Sequence, residues 1–216
     1  MTAAQSILDS PPFIARPRMP RMSEREFVEW CTPGTWAEWV DGEVILMSPV
    51  RFRNAELAAF LLHLLREFVD ELELGTVVTE PFQVRFGRMK RRRSPDVFYI
   101  SNARRRQIRE YHLEGPADLI IEVVSPWTQS VDRRDKFFEY QSAGVKEYWI
   151  VDPQSQTVEV YALGRSRRYS LVEDESGLVR SKVLAGFFVR PQWLWRDPLP
   201  KVSPLVRTMI RKRRRA

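Results

Sequence analysis

Two acidic residues inside consecutive apolar segments constrain this chain more than any other feature. Asp96 lies in the segment 94–100 (SPDVFYI), and Glu122 lies in the segment 118–124 (DLIIEVV). Apolar segments of this length are typical of interior strands. A carboxylate inside such a strand is costly unless it is paired or binds a metal ion. Two interpretations therefore stay open, which are buried ion pairs with Arg residues or a metal site at the edge of a sheet.

The alternation of side chains along a strand predicts which residues share a face with each acid. Asp96 shares a face with Phe98 and Ile100, whereas Glu122 shares a face with Ile120 and Val124. If both acids project to the same side, their carboxylates converge on one hard cation. Mg²⁺ takes oxygen ligands and is often held by one or two carboxylates together with water, and Mn²⁺ has the same preference.

The remaining periodicity predicts a mixed fold. A hairpin is expected over 36–47 with its turn at Asp41-Gly42, and a long amphipathic helix over 55–72. A further helix is expected over 131–143, capped by Ser130 and closed by Gly144. Helices and strands in this order indicate an α/β or α+β domain, with a mixed β-sheet flanked by helices.

Composition predicts one domain with two terminal extensions. The 216 residues divide into an extended Pro-rich arm at 1–22, a domain at 23–198 and a basic C-terminal tail at 199–216. No apolar stretch approaches the roughly 20 residues that cross a bilayer, so no membrane association is expected. The single cysteine, Cys31, excludes an internal disulfide, and no signal peptide is recognisable, so a cytoplasmic location is expected.

The positive charge suggests a polyanionic partner. The net charge is +7, and most of the basic residues are Arg, which pairs bidentately with phosphate. Three basic runs, at 88–93, at 104–106 and in the C-terminal tail, are candidates for phosphate contact, although such runs are often only solvated surface.

Lys136 adds a cation to the two acids. It lies on the helix that follows the Glu122 strand, where an ammonium group could orient water or neutralise charge at a phosphate. The competing interpretation is an ordinary surface ion pair with Asp132, four residues earlier.

Several motifs together resemble the Uma family, a bacterial group within the PD-(D/E)XK nuclease superfamily. The motifs are EWVDGE at 38–43, MSP at 47–49, PDV at 95–97, EVVSP at 122–126 and GVKEYWIVDP at 144–153. The resemblance covers about residues 23–195. It implies a restriction-endonuclease-like fold and a Mg²⁺-dependent endonuclease that hydrolyses DNA. Because two active sites are needed to cut both strands in a single encounter, a homodimer is a further expectation.

The resemblance also implies residue roles. Asp96 and Glu122 correspond to the metal-binding acids. The superfamily usually places its lysine two residues after the second acid, where this chain has Val124, so the role passes to Lys136 on the next helix. Glu38 and Glu43 match positions that could supply a further acid, and Glu43 is favoured.

One departure from the family supports an alternative function. Family members often carry His at the start of the long helix, where this chain has Asn54, which cannot act as a base near neutral pH. The alternative is a catalytically impaired protein that serves as a DNA-binding module. A third hypothesis is an assembly protein whose acids are ion-paired. His63 and His112 are expected to be structural or solvated.

Overall fold

The computed structural model describes residues 19–125, 131–173 and 176–213. Most of the predicted N-terminal arm and the predicted cap Ser130 therefore lie outside the described residues. The helices in the described part are α1 (Glu24–Trp30), α2 (Phe52–Glu71), α3 (Phe137–Ala143), α4 (Pro191–Leu194) and α5 (Val202–Arg213). A π-helix, Val131–Lys136, leads directly into α3, and two short 3-10 helices span Gly87–Met89 and Asn102–Gln107. None of the helices in these ranges combines the length and apolar character needed to cross a bilayer.

The described strands form three sheets. The strands are β1 (Ala37–Val40), β2 (Glu43–Leu46), β3 (Gly75–Thr79), β4 (Gln83–Phe86), β5 (Arg91–Arg93), β6 (Val97–Ser101), β7 (His112–Glu114), β8 (Leu119–Val123), β9 (Glu147–Asp152), β10 (Thr157–Leu163), β11 (Tyr169–Leu171), β12 (Val179–Arg180) and β13 (Phe188–Val189). The sheet orders are β2-β1-β5-β4-β7, β11-β10-β9-β8-β6-β3 and β12-β13. Parallel pairs, β4 with β7 and β8 with β9, occur beside antiparallel ones, which confirms the predicted mixed architecture.

The hairpin forms where the sequence predicts it. Asp41 and Gly42 both have positive φ, 49° and 89°, and connect Val40 to its partner Glu43. Two-residue turns of this kind match the right-handed twist of the flanking strands, and Gly reaches such a φ without strain.

The six-stranded sheet separates two cores and thereby orients the acids. Alternate residues such as Tyr99 and Ile121 pack towards α2 and α5. The intervening residues, including Phe98 and Ile120, pack towards α3 and the five-stranded sheet. Asp96 and Glu122 alternate with the first set, so both belong to the α3 side of the sheet.

The C-terminal segment is a helix that packs onto the domain. Val202, Val206 and Met209 of α5 are buried in the core beside α2, and the Ser203 hydroxyl donates to the Glu67 carboxylate at 3.1 Å. An apolar stripe with residues three to four positions apart therefore attaches part of the predicted tail to the core of the domain.

Candidate active site

Hydrogen bonds hold both the side chain and the backbone carbonyl of Asp96. Val97 pairs with Ile121, so Asp96 lies next to Glu122 across the β6–β8 pair. One Asp96 carboxylate oxygen, Oδ2, accepts from the Val123 amide at 2.6 Å, and the Thr79 hydroxyl donates to the Asp96 carbonyl at 2.6 Å. The aspartate is therefore held rigidly at the carboxyl end of β8.

Glu122 and Lys136 form the centre of the site. Lys136 Nζ lies 2.9 Å from Glu122 Oε1 and 3.0 Å from Asp132 Oδ1, and the Tyr140 hydroxyl donates to Glu122 Oε1 at 2.8 Å. All three charged residues are buried. The Asp132–Lys136 pair is therefore present, but it lies in the interior, unlike the surface pair considered as the competing interpretation.

The π-helix presents both Asp132 and Lys136 to the sheet. The Tyr148 hydroxyl donates to the Asp132 carbonyl at 3.1 Å, which fixes this turn against β9. Short π-helical segments of this kind are frequent at functional sites.

Four acids, which we call the acid cluster, gather around this single lysine: Glu80, Asp96, Glu122 and Asp132. Burial raises the pKa of Asp96 to about 7, and the charges of Glu80 and Asp132 add to this effect. Burial, reinforced by Asp96, raises the pKa of Glu122 to about 8. Burial and the charge of Glu122 raise the pKa of Glu80 to about 7. The four acids therefore carry more negative charge than Lys136 neutralises, and in this sense the acid cluster is under-compensated.

Lys136 itself stays charged. Burial would lower its pKa, but the carboxylates of Asp132 and Glu122 outweigh this effect and hold the pKa of Lys136 well above its usual range. A permanently protonated ammonium group can donate hydrogen bonds and stabilise negative charge, but it cannot accept a proton.

The sequence favours Glu43 over Glu38 as a further acid of the site, but Glu38 is the one that lies in the interior. Glu43 is largely exposed and pairs with Arg21 at 2.7 Å, so it does not join the acid cluster. Glu38 is buried, and Lys136 is close enough to lower its pKa together with Arg93, against the effect of burial. Because β1 and not β2 pairs with β5, Glu38 is the hairpin acid that reaches the interior.

Glu38, Arg93 and Glu139 form a second buried cluster, which we call the Arg93 bridge. Arg93 donates to Glu38 Oε2 at 2.7 Å and to both oxygens of Glu139 at 2.7 and 2.8 Å. Glu38 Oε1 accepts from the Ser94 amide at 3.0 Å, two residues before Asp96. The bridge thus links the segment that carries Asp96 to the helix that follows Lys136.

The basic runs differ in how their charges are used. The run at 88–93 is not a free loop, because Arg92 and Arg93 lie buried in β5 and pair with acids distant in sequence. Arg104 pairs with Asp118 and donates to the Pro116 carbonyl. These arginines are therefore occupied by structural contacts.

Asn54 is a buried structural donor. Its amide nitrogen donates to the carbonyls of Val123 and Val124 at 3.3 and 2.9 Å, immediately after Glu122. The side chain therefore holds the end of the strand that carries the acid. Neither His63 nor His112 reaches the acid cluster, because each pairs with a nearby glutamate, Glu67 or Glu114.

Some members of the site were not identified from the sequence. Glu80 follows β3, and its only sequence signal is an acid next to a proline turn between two strands. Tyr140 is one helical turn after Lys136, which is a signal for a shared helix face. Val124, two residues after Glu122, is buried in the apolar core on the α3 side, so this position contributes no polar group to the site.

The residues of the site fit a divalent cation. Oδ1 of Asp96 and Oε2 of Glu122 have no hydrogen bond to any described residue, and the pKa values of both groups are raised in a way that a cation would offset. The described ranges contain no group of three or more His, Cys, Asp or Glu side chains arranged as a complete metal site. Two carboxylates with water are nevertheless a usual Mg²⁺ environment.

Mixed sheets flanked by helices place the chain in the restriction-endonuclease-like fold class. The chain belongs to the Uma2 family, described as "Putative restriction endonuclease", whose model matches residues 25–191. A solved structure described as a "putative nuclease belonging to DUF820" from Anabaena variabilis ATCC 29413 is similar, with a TM-score of 0.67 and 16% identity, covering 81% of this chain and 97% of the other. None of the curated proteins matches significantly.

Proposed function

We propose that this protein is a Mg²⁺-dependent endonuclease that hydrolyses phosphodiester bonds in DNA. The observation that supports this most strongly is the convergence of Asp96, Glu122 and Lys136 at one end of the central sheet, with the pKa values of both acids raised. The nuclease family to which the chain belongs supports the same reaction class.

Asp96 and Glu122 would hold the cation through the oxygens that no described residue occupies. When bound, Mg²⁺ or Mn²⁺ polarises a phosphoryl oxygen and lowers the pKa of a coordinated water molecule. Lys136 Nζ stays protonated and donates a hydrogen bond to the phosphate or the attacking water. The Tyr140 hydroxyl and the Lys136 ammonium group both contact Glu122 Oε1, so Oε2 is the oxygen that would bind the cation.

The further acid is better represented by Glu80 than by Glu43. Glu80 is close enough to Glu122 for its charge to matter, whereas Glu43 pairs with Arg21 at the surface. The alternative of a catalytically impaired DNA-binding module receives less support from Asn54 than the sequence suggested, because this side chain anchors β8 and has no need to act as a base.

Hydrolysis of supercoiled plasmid DNA by the purified chain in Mg²⁺ tests the proposal. Asp96→Ala and Glu122→Ala should each abolish nicking, and Glu43→Ala, an exposed acid of the same charge, is the matched control. Nicking that survives both acid substitutions would show that the activity comes from a contaminant. DNA binding without nicking by the wild type would instead favour the binding module.

Cutting both strands in one encounter requires two active sites, so we further propose that the chain acts as a homodimer. Light scattering with and without a DNA duplex checks this. A monomer in both conditions would reject it.

A further inference from the structure

The positive charge of this chain is concentrated at its C-terminal end. Residues 178–216 contain 11 of the 35 Lys and Arg residues and one of the 28 Asp and Glu residues. This segment therefore carries +10, which exceeds the +7 of the whole chain and leaves −3 for residues 1–177. Eight of the 11 cations follow residue 191, where the family match ends, so most of this charge lies outside the part that defines the family.

Four of these cations form what we call the C-terminal basic surface: Arg180, Arg207, Arg211 and Lys212. In the described ranges, every Lys or Arg residue that forms an ion pair lies at or before residue 146. The C-terminal basic surface thus differs from the arginines of β5, whose charges are neutralised inside the fold.

The local arrangement holds like charges close together. Arg180 Cζ and Lys212 Nζ lie 5.6 and 5.5 Å from the centre of the same Phe188 ring. The two charges are therefore at most about 11 Å apart, comparable to one Debye length, which is roughly 10 Å at 0.1 M salt. Arg207 and Arg211 are exposed and four residues apart on α5, a spacing at which like charges oppose helix formation.

Structural roles account for only part of this pattern. Cations in the last helical turn are favoured by the helix dipole, which explains Arg211 and Lys212. The Phe188 ring attracts the Arg180 and Lys212 cations, which explains the position of Arg180. Neither contact explains Arg207. An external polyanion would relieve the repulsion among all four.

The surface is rigid and remote from the acid cluster. The apolar face of α5 is buried beside α2, so the helix is fixed with its basic face outward. Glu147, at the amino end of β9, accepts from the Lys182 amide at 2.6 Å, whereas Glu122 pairs with Ile150 near the other end. Three residues of strand, about 10 Å, separate Glu147 from Ile150, and α5 packs on the face of the six-stranded sheet opposite to the face that carries the acid cluster.

We propose that the C-terminal basic surface binds the phosphate backbone of a nucleic acid duplex at a distance from the bond that is cut. The choice of nucleic acid as the polyanion rests on the proposed function. The surface contributes affinity and salt dependence without base recognition, because Arg and Lys contacts to phosphate carry no sequence information.

The test measures binding without cleavage, by fluorescence anisotropy of a labelled 30-base-pair duplex in EDTA with Glu122→Gln protein. In this background we compare R207E/R211E/K212E with R105E/R106E/R109E, a matched change at three exposed arginines elsewhere. The first variant should lose at least about tenfold in affinity at 0.1 M salt, with a salt slope shallower by about 2–3. The control should lose less than about threefold.

Equal losses in the two variants, or none, would overturn the proposal. So would tighter binding to phosphatidylserine vesicles than to the duplex through the same residues, since this identifies a lipid surface as the partner. If charge reversal lowers the thermal midpoint, R207Q/R211Q/K212Q replaces it with the same expected direction. Binding by this surface in a chain that never cleaves DNA would reject the proposed function alone.

Discussion

The molecule contains two buried charge clusters that adjoin each other and differ in balance. In the Arg93 bridge, Arg93 contacts both glutamates, Arg91 adds a second contact to Glu139, and the pKa of Glu38 is lowered despite burial. In the acid cluster, four acids share Lys136, and the pKa values of three of them are raised. Loss of one partner from a balanced buried cluster is costly to the fold, whereas an excess of buried negative charge is suited to a cation or a proton.

The largest expected effect is on cleavage by Glu122→Gln. Nicking of plasmid DNA should fall by at least about 10³-fold, because a metal-binding carboxylate is lost. The free energy of unfolding should be unchanged or higher, because one crowded acid is removed while Lys136 keeps Asp132. Plasmid assays and urea denaturation check both parts. A large loss of stability would mean that Glu122 is mainly a structural partner of Lys136.

Removing the cation of the Arg93 bridge should have the opposite signature. Arg93→Met should lower the free energy of unfolding by about 3–5 kcal/mol, because Glu38 and Glu139 are left buried without their partner. Urea denaturation measures this loss. The double variant Arg93→Met/Glu139→Gln is the control and should recover part of it. A loss below about 1 kcal/mol would show that the bridge is not a structural requirement.

Asn54 should show an intermediate effect. Asn54→Leu leaves the Val123 and Val124 carbonyls without their donor, so we expect a loss of about 1–3 kcal/mol in the free energy of unfolding and weaker cleavage. Asn54→His, which keeps an N–H donor, is the matched variant and should retain more of both. Equal behaviour of the two variants would contradict an anchoring role.

The pH dependence of stability should distinguish the two clusters by sign. An acid whose pKa is raised on folding stabilises the protein at low pH, and that contribution is lost as pH rises through the folded value. For Asp96 and Glu122, with pKa values of about 7 and 8, metal-free protein should lose about 1 kcal/mol or more between pH 5 and pH 8. Glu38, whose pKa is lowered, should instead lose its contribution on acidification.

Thermal denaturation of wild type and Glu122→Gln across this range measures the difference. The variant should give the flatter curve between pH 5 and pH 8. Identical curves would indicate that the acid cluster is not under-compensated.

The sequence predicts those features of the fold that a single short segment determines by itself. The Asp41-Gly42 turn and the helical segment that carries Lys136 follow from short-range patterns, whereas the shared face of Asp96 and Glu122 depends on the register of β6 with β8. The choice between Glu38 and Glu43 does not, because it depends on which hairpin strand pairs with β5. The burial of Arg93 was missed for a similar reason, since its acid partners are 55 and 46 residues away.

We expect the acid cluster to bind a divalent cation. Calorimetric titration of Mg²⁺ at pH 8 into wild type, Glu43→Gln and Asp96→Asn/Glu122→Gln tests it most directly. Wild type and Glu43→Gln should bind with the same affinity, and the double variant should show no binding. Equal binding by all three proteins, or none by the wild type, would contradict the account.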